Sequence, residues 1–338
     1  MIALVQRVER INHSSNLSDI TRKQWEQSAL SISPESPDSS SLLTDARELA
    51  QNYLPEEIKE QIVRVNQPKG LTHFYLKGLP KDPQLPATPS GGKRPASKLT
   101  WVSEIVILGI IAYALGAEPF SYLEQKQGDL VQNIVPIKGL ETTNSNANTG
   151  NFSWHSDDAL FMHFFRAEGI ILYCLRNQGG TATLFAPIDE IIAAMNSLDV
   201  EVLRQPRFRV RTPESFKLYG GKVIYSEPRP IITEGSAGAE IALATYNVQP
   251  ADPHDEEAIM ALWGLRSALR PPVVKSFVLQ PGDILIISNV RGLHARSSIT
   301  GDRWLQRSYF RKDLSDLRRV TNSNGTCRVF SSEELFLL

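Results

Sequence analysis

Only two cysteines, Cys174 and Cys327, occur among the 338 residues of this chain. The disulfide framework that staples many small secreted domains is therefore excluded. One bond between the two is formally possible, but a reducing, cytoplasmic setting is the expectation. Charge of one sign is missing as well: 36 basic residues face 37 acidic ones, and no basic stripe interleaves with aromatics. Such a balance gives no electrostatic reason for a nucleic-acid partner. The longest apolar stretch, Ile105 to Gly116 (IVILGIIAYALG), falls short of the roughly 20 residues that a bilayer requires. It reads as a buried helix, and no membrane partner is expected. The opening MIALVQRVERINHSS has no basic segment leading into an apolar core, so it does not read as a signal peptide. No internal repeat is visible. What remains is an ordinary globular composition, 41% hydrophobic and 22% charged, with length enough for a sizeable core.

Texture divides the chain into a helical first part, residues 1–70, and a strand-rich core over 71–320, read together as one domain. Residues 31–42 (SISPESPDSSSL) are Ser/Pro-rich and predict a loop. From Leu43 to Arg64 apolar residues fall at helical spacing, with a break near Pro55. Thr72 to Pro80 (THFYLKGLP) reads as a strand, and residues 99–116 as the apolar helix. GIILYCL (Gly169 to Leu175) and TATLFAP (Thr181 to Pro187), separated by NQGG, predict a hairpin. KVIYSE and EIALATY look like strands, FVLQPGDILIIS like strand, turn and strand, and RWLQRSYFRKDL like a last β run. Helices are expected at 189–198 and, as an insert, near 251–270, where the acidic DPHDEEA run suits a helix N-terminus. The fold class is mainly β with flanking helices, a barrel or jelly roll.

Six histidines make the metal arithmetic tractable. His155, in NFSWHSDDAL, precedes Asp157 by two residues. In an extended segment, positions i and i+2 project to one face, so an imidazole and a carboxylate can converge on one ion. His294, just past the strand of ILIISNVRGLHARS, is the best second imidazole. Two histidines and one carboxylate on one face of an octahedral ion leave three positions open, the arrangement of non-haem Fe(II) oxygenases. Arg303 and Arg307 follow in GDRWLQRSYFR, on one face if the segment is a strand. A co-substrate with two carboxylates calls for such a guanidinium at its distal end. His13, His73, His163 and His254 lack partners at ligand spacing and read as surface or loop residues. Trp154 and Trp304 read as packing, and Cys174 as core.

Four segments, WHSDDAL, YCLRNQGGTATL, QPGDILIISNVRGLHARS and DRWLQRSYFRKDL, occur in the order found in a known family. Over residues 70–315 the chain resembles the clavaminate synthase-like branch of the 2-oxoglutarate oxygenases, which includes bacterial hydroxylases of arginine, asparagine and lysine. The resemblance implies a double-stranded β-helix (jelly roll) core, with Fe(II), 2-oxoglutarate and O2 as cofactor and co-substrates. It implies that His155, Asp157 and His294 hold the iron. Arg303 would bind the distal carboxylate of 2-oxoglutarate, with Thr183 assisting. Arg307 would take the carboxylate of an amino-acid substrate, and Ser145 and Gln125 its backbone groups. Two departures stand out: this branch usually has Glu where Asp157 stands, and the interval from His294 to Arg303 is short. By spacing alone Arg307 could be the 2-oxoglutarate ligand. The stretch EIALATYNVQP offers Thr245, Tyr246 and Asn247, with Glu240 its only acid, where arginine-specific relatives carry acids, so a neutral polar tip such as that of citrulline, glutamine or asparagine is expected rather than arginine. Hydroxylation of a free L-amino acid with a polar side chain, as in antibiotic and other natural-product biosynthesis, is the expected function. Desaturation or cyclisation by the same site and a non-enzymatic jelly-roll binding module are the alternatives.

Overall fold

A computed structural model describes residues 14–32, 40–93, 95, 98–143, 145–212 and 223–335. His13, residues 33–39 of the expected Ser/Pro loop and Lys222 of the expected KVIYSE strand lie outside the described residues.

Two sheets face each other. The larger orders its main strands as His73–Lys77, Ile284–Ser288, Gly169–Asn177, Arg303–Arg311 and Glu118–Tyr122, with short strands Ser14–Asn16 and Val329–Phe330 at its edges. Gln132–Ile134 also pairs with Arg303–Arg311. The smaller sheet runs Lys275–Phe277, Thr183–Pro187, Gly292–Arg296, Phe152–His155. This is the jelly-roll layout that the strand pattern suggested.

The central strand Gly169–Asn177 shows why its sequence is apolar on both faces. Ile170, Leu172 and Cys174 turn into the space between the sheets, where Leu285, Ile287, Leu305 and Phe185 pack against them. Ile171, Tyr173 and Leu175 turn outward and are covered by helices. A strand buried on both sides reads as a continuous hydrophobic run rather than an alternation. The outer cover comes from Asp19–Ser31, Ser40–Tyr53, Glu56–Val63 and Trp101–Gly109. The break at Pro55 falls where expected, because proline has no N–H to continue the preceding helix. Ser40 to Leu42, expected in the loop, instead open the helix Ser40–Tyr53. Every residue of Trp101–Gly109 is buried. Gly109 ends it at a close crossing, where an added Cβ would meet the Ala46 carbonyl oxygen at 2.4 Å. Among the described residues no helix is long and apolar enough to cross a membrane.

On the far side of the smaller sheet, short helices Ile188–Ala193 and Ser197–Leu203 and the longer Glu256–Ala268 close a third apolar cluster. Asp255 caps the last of these, accepting from the Ala258 N–H at 3.0 Å. Cys174 and Cys327 are both unpaired.

One expectation fails in an informative way. GIILYCL and TATLFAP do not form a hairpin; the first belongs to the larger sheet and the second to the smaller. The intervening NQGG is a corner between sheets. Asn177 holds it by accepting from the Thr181 N–H at 3.0 Å and donating to the carbonyls of Thr181 and Leu279. The strands flanking the PGD turn part in the same way. KVIYSE forms no strand among its described residues beyond a bridge from Tyr225 to Arg211, and the EIALATY strand stops at Ile241.

Candidate active site

The smaller sheet positions the metal donors. His294 lies on its central strand Gly292–Arg296, directly opposite His155 at the end of Phe152–His155. The two imidazole rings sit 4.1 Å apart, centroid to centroid. Asp157 follows His155 after one residue, where the chain has left the strand. Its backbone is clamped by Asn289, whose Oδ1 accepts from the Asp157 N–H at 2.7 Å and whose Nδ2 donates to the Asp157 carbonyl at 3.0 Å. Asp157 Oδ1 then lies 3.4 Å from His155 Nε2 and 3.9 Å from His294 Nε2.

Electrostatics agree with a metal-binding role. His155 Nδ1 sits 2.7 Å from the Ser153 carbonyl, which can only accept, so Nδ1 donates there and Nε2 is the ring nitrogen turned to the cluster. Burial, with His155 adding to it, pushes His294 down to about 3, so its ring is neutral. Burial alone would raise Asp157, but the Arg307 guanidinium and the two imidazoles hold its carboxyl well below the usual range. Its outer oxygen Oδ2 accepts from Arg307 Nη1 at 2.9 Å and from the Tyr309 hydroxyl at 3.1 Å, leaving Oδ1 for the cluster. Two imidazole nitrogens and one carboxylate oxygen, all within 4.8 Å of one another, suit a divalent transition metal.

Two cavities meet here. The smaller is bordered by Thr183, His294, Arg296, Arg303 and Arg307. Arg303 is 4% exposed, and its Nε and Nη1 have no hydrogen-bond partner. Burial and the neighbouring Arg296 lower its guanidinium to about 9. A buried cation without an acceptor is costly, and a bidentate carboxylate would relieve it. The alternative that spacing leaves open, Arg307 in this role, has less support: Arg307 is committed to Asp157 and donates Nη2 to Gln132 at 2.5 Å and Gln125 at 3.3 Å.

The larger cavity, about 330 Å³, is bordered by Gln125, Ser145, Asp157, Asp158, Asn247 and Arg307, among others. Gln125 Nε2 donates to Asp158 Oδ1 at 2.7 Å, and Ser145 Oγ accepts from the Ala147 N–H at 3.3 Å. The segment carrying Ser145 is fastened from below. Arg296, two residues beyond His294, donates to the carbonyls of Asn146, Asn148 and Gly150 and to the Asn148 side chain.

The sequence profile described as taurine catabolism dioxygenase TauD, TfdA family, matches residues 109–309, well over half of the chain. The chain belongs to the TauD/TfdA dioxygenase family. Among curated relatives of this dioxygenase, an L-asparagine oxygenase of Streptomyces coelicolor is 29% identical over 262 residues, covering 75% of this chain and 74% of that protein. An enduracididine beta-hydroxylase of Streptomyces hygroscopicus is 24% identical over 294 residues, covering 79% and 84%. Among solved structures, asparagine oxygenase with Fe(II), 2S,3S-3-hydroxyasparagine and succinate superposes with a TM-score of 0.80 at 24% identity, covering 94% of this chain and 99% of that one.

Several residues of the dioxygenase site escaped sequence reasoning. Asn289 and Tyr309 act on Asp157 from 132 and 152 positions away, and although both lie inside the family-like segments neither was singled out there. Asp158, with φ of 58°, lies within WHSDDAL but was given no role, and Arg211 at the cavity wall lies outside all four family-like segments. Of the histidines read as unpartnered, His163 reaches Glu240 at 2.9 Å, and His73 packs edge-on against Phe277.

Proposed function

We propose that this dioxygenase uses Fe(II), 2-oxoglutarate and O2 to hydroxylate an unactivated C–H bond of a free L-amino acid with a polar side chain, in natural-product biosynthesis. The observation that carries the reading is one junction of two cavities. There the His155, Asp157 and His294 donors stand beside Arg303, a buried guanidinium whose Nε and Nη1 lack any acceptor. The relatives named for asparagine and enduracididine oxidation support an amino-acid substrate.

When bound, iron and 2-oxoglutarate supply the oxidising chemistry, in which the co-substrate is converted to succinate and carbon dioxide and one oxygen atom enters the substrate. The protein supplies position. His155, Asp157 and His294 hold the metal from one side. Arg303, assisted by Thr183, takes the distal carboxylate of 2-oxoglutarate. Arg307 has two tasks: it fixes the outer oxygen of Asp157, and it presents its unpartnered Nε to an amino-acid carboxylate. Gln125, Ser145 and Asn247 offer polar atoms to the remaining groups of the substrate. His155 and Asp157, 4% and 9% exposed, keep bulk water away from the reacting centre.

The test is a turnover screen with Fe(II), ascorbate, 2-oxoglutarate and a panel of free amino acids. One amino acid should gain a single oxygen atom with matching succinate, and His155→Ala should abolish both. A loss of two hydrogens would assign desaturation or cyclisation to the same site. Absence of succinate with every amino acid would refute the reading and favour a binding module.

A further inference from the structure

The cavity wall facing away from Arg303 is lined by donors. Asn247 is 4% exposed, and its Oδ1 accepts from Arg211 Nη2 at 3.1 Å. Only an oxygen can accept there, so the amide orientation is set and Nδ2 is the atom left over. That Nδ2 is buried and has no acceptor. A second contact, from the Arg211 N–H to the Asn247 carbonyl at 2.8 Å, locks the two residues together. Among the described residues Arg211 has no carboxylate within 4 Å, and neither does Lys126 on the same cavity.

The acids around the cavity are already engaged. Asp157 faces the imidazoles and Arg307. Asp158 accepts from Gln125 at 2.7 Å. Glu124 accepts from the Ser332 N–H at 2.9 Å and from the Ser332 hydroxyl at 2.5 Å. Among the described residues Arg211 therefore has no paired carboxylate, and the Asn247 N–H has no acceptor. A guanidinium or ammonium side chain would bring a donor to donors and a positive charge to positive charges. A carboxamide would satisfy the N–H and leave the charge uncompensated.

We propose that the side chain of the substrate ends in a carboxylate, held by Arg211 and by the Asn247 amide, so that the substrate class is an acidic amino acid. The inference rests on the amino-acid oxygenase reading of this cavity and narrows it. An acidic substrate brings a net negative charge, whereas a neutral-tipped one brings none. The two carboxylates then divide between Arg307 and Arg211.

The experiment compares kcat/KM for succinate formation with L-aspartate, L-glutamate, L-asparagine, L-glutamine, L-citrulline, L-arginine and L-lysine at matched concentrations. Aspartate or glutamate is expected to exceed its amide counterpart at least tenfold. Arg211→Gln should erase that ratio through KM, Arg211→Lys should retain most of it, and Arg211→Glu should move preference toward the cationic amino acids. Calorimetric affinities in the Mn(II)- and 2-oxoglutarate-loaded protein should follow the same order. An amide or cationic amino acid preferred by the unaltered enzyme would overturn the proposal and leave the oxygenase reading intact. So would an acid-to-amide ratio that Arg211→Gln leaves unchanged. Absence of succinate with every amino acid would remove the underlying reading and this inference with it.

Discussion

Replacing Arg303 by Met should have opposite effects on 2-oxoglutarate binding and on the stability of the unloaded protein. The guanidinium is 4% exposed, and burial with Arg296 lowers it to about 9. Its Nε and Nη1 have no acceptor, so in the unloaded protein it carries a desolvation cost with little return. Methionine fills similar space with no charge to bury, and Arg303→Met is expected to keep or raise the melting temperature without co-substrate. Binding is a different matter. A hydrogen bond to a charged group contributes about 1.5–3 kcal/mol. Its loss raises the dissociation constant for 2-oxoglutarate roughly 10- to 150-fold, at 1.36 kcal/mol per factor of ten. Ligand-linked stabilisation then reads the same quantity twice, because a ligand that binds only the folded state raises stability with the logarithm of its concentration over its dissociation constant. Melting curves with Mn(II) and increasing 2-oxoglutarate should climb for both proteins, with the variant's rise displaced to roughly 10- to 150-fold higher co-substrate. An unchanged 2-oxoglutarate dependence would refute the assignment of Arg303. A variant that melts far lower without co-substrate would refute the argument that the arginine is held at a cost.

Asn289→Ala removes both hydrogen bonds that hold the Asp157 backbone, and metal affinity is expected to fall about 10- to 100-fold, as for other outer partners of metal ligands, by titration with Fe(II) under anaerobic conditions. Asp158, raised to about 7 against an ordinary 3.8, keeps in the metal-free folded protein a proton that the unfolded chain has lost between about pH 4 and pH 7. Stability should therefore fall as pH rises through that window, and Asp158→Asn should flatten the slope in denaturant titrations. Gly179→Ala would place a Cβ 1.4 Å from the Thr300 carbonyl oxygen, so the sheet-to-sheet corner must shift. A loss of about 1–3 kcal/mol or more is expected in urea unfolding, and an unchanged midpoint would show that the corner yields freely.

The grouping of His155, Asp157 and His294 was legible because the chemistry restricts metal donors to few residue types, although Asp157 lies past the strand end and Asn289, rather than extended backbone, sets its position. The arginines were legible too, but their roles were not. Spacing leaves Arg303 and Arg307 interchangeable, and only the cavity beside Thr183 and the ion pair with Asp157 favour one division. The hairpin expectation failed for a related reason. A short glycine-containing turn reports that the chain reverses, whereas partner choice depends on strands more than 100 residues later: Ile284–Ser288 for Gly169–Asn177 and Gly292–Arg296 for Thr183–Pro187. Arg211 and Asn247 likewise meet across 36 positions, through pairing of Phe208–Val210 with Val248–Pro250. Such contacts carry no local period or motif.

The Arg296 guanidinium grips the 146–150 segment chiefly by main-chain carbonyl oxygens, which every amino acid possesses. Ser145, Asn146 and Ala147 can therefore be exchanged while the carbonyl grip stays in place. If the substrate rests against this wall as proposed, its selectivity can be engineered at little risk to the strand that carries His294. The wall's lettering can change while its mounting does not.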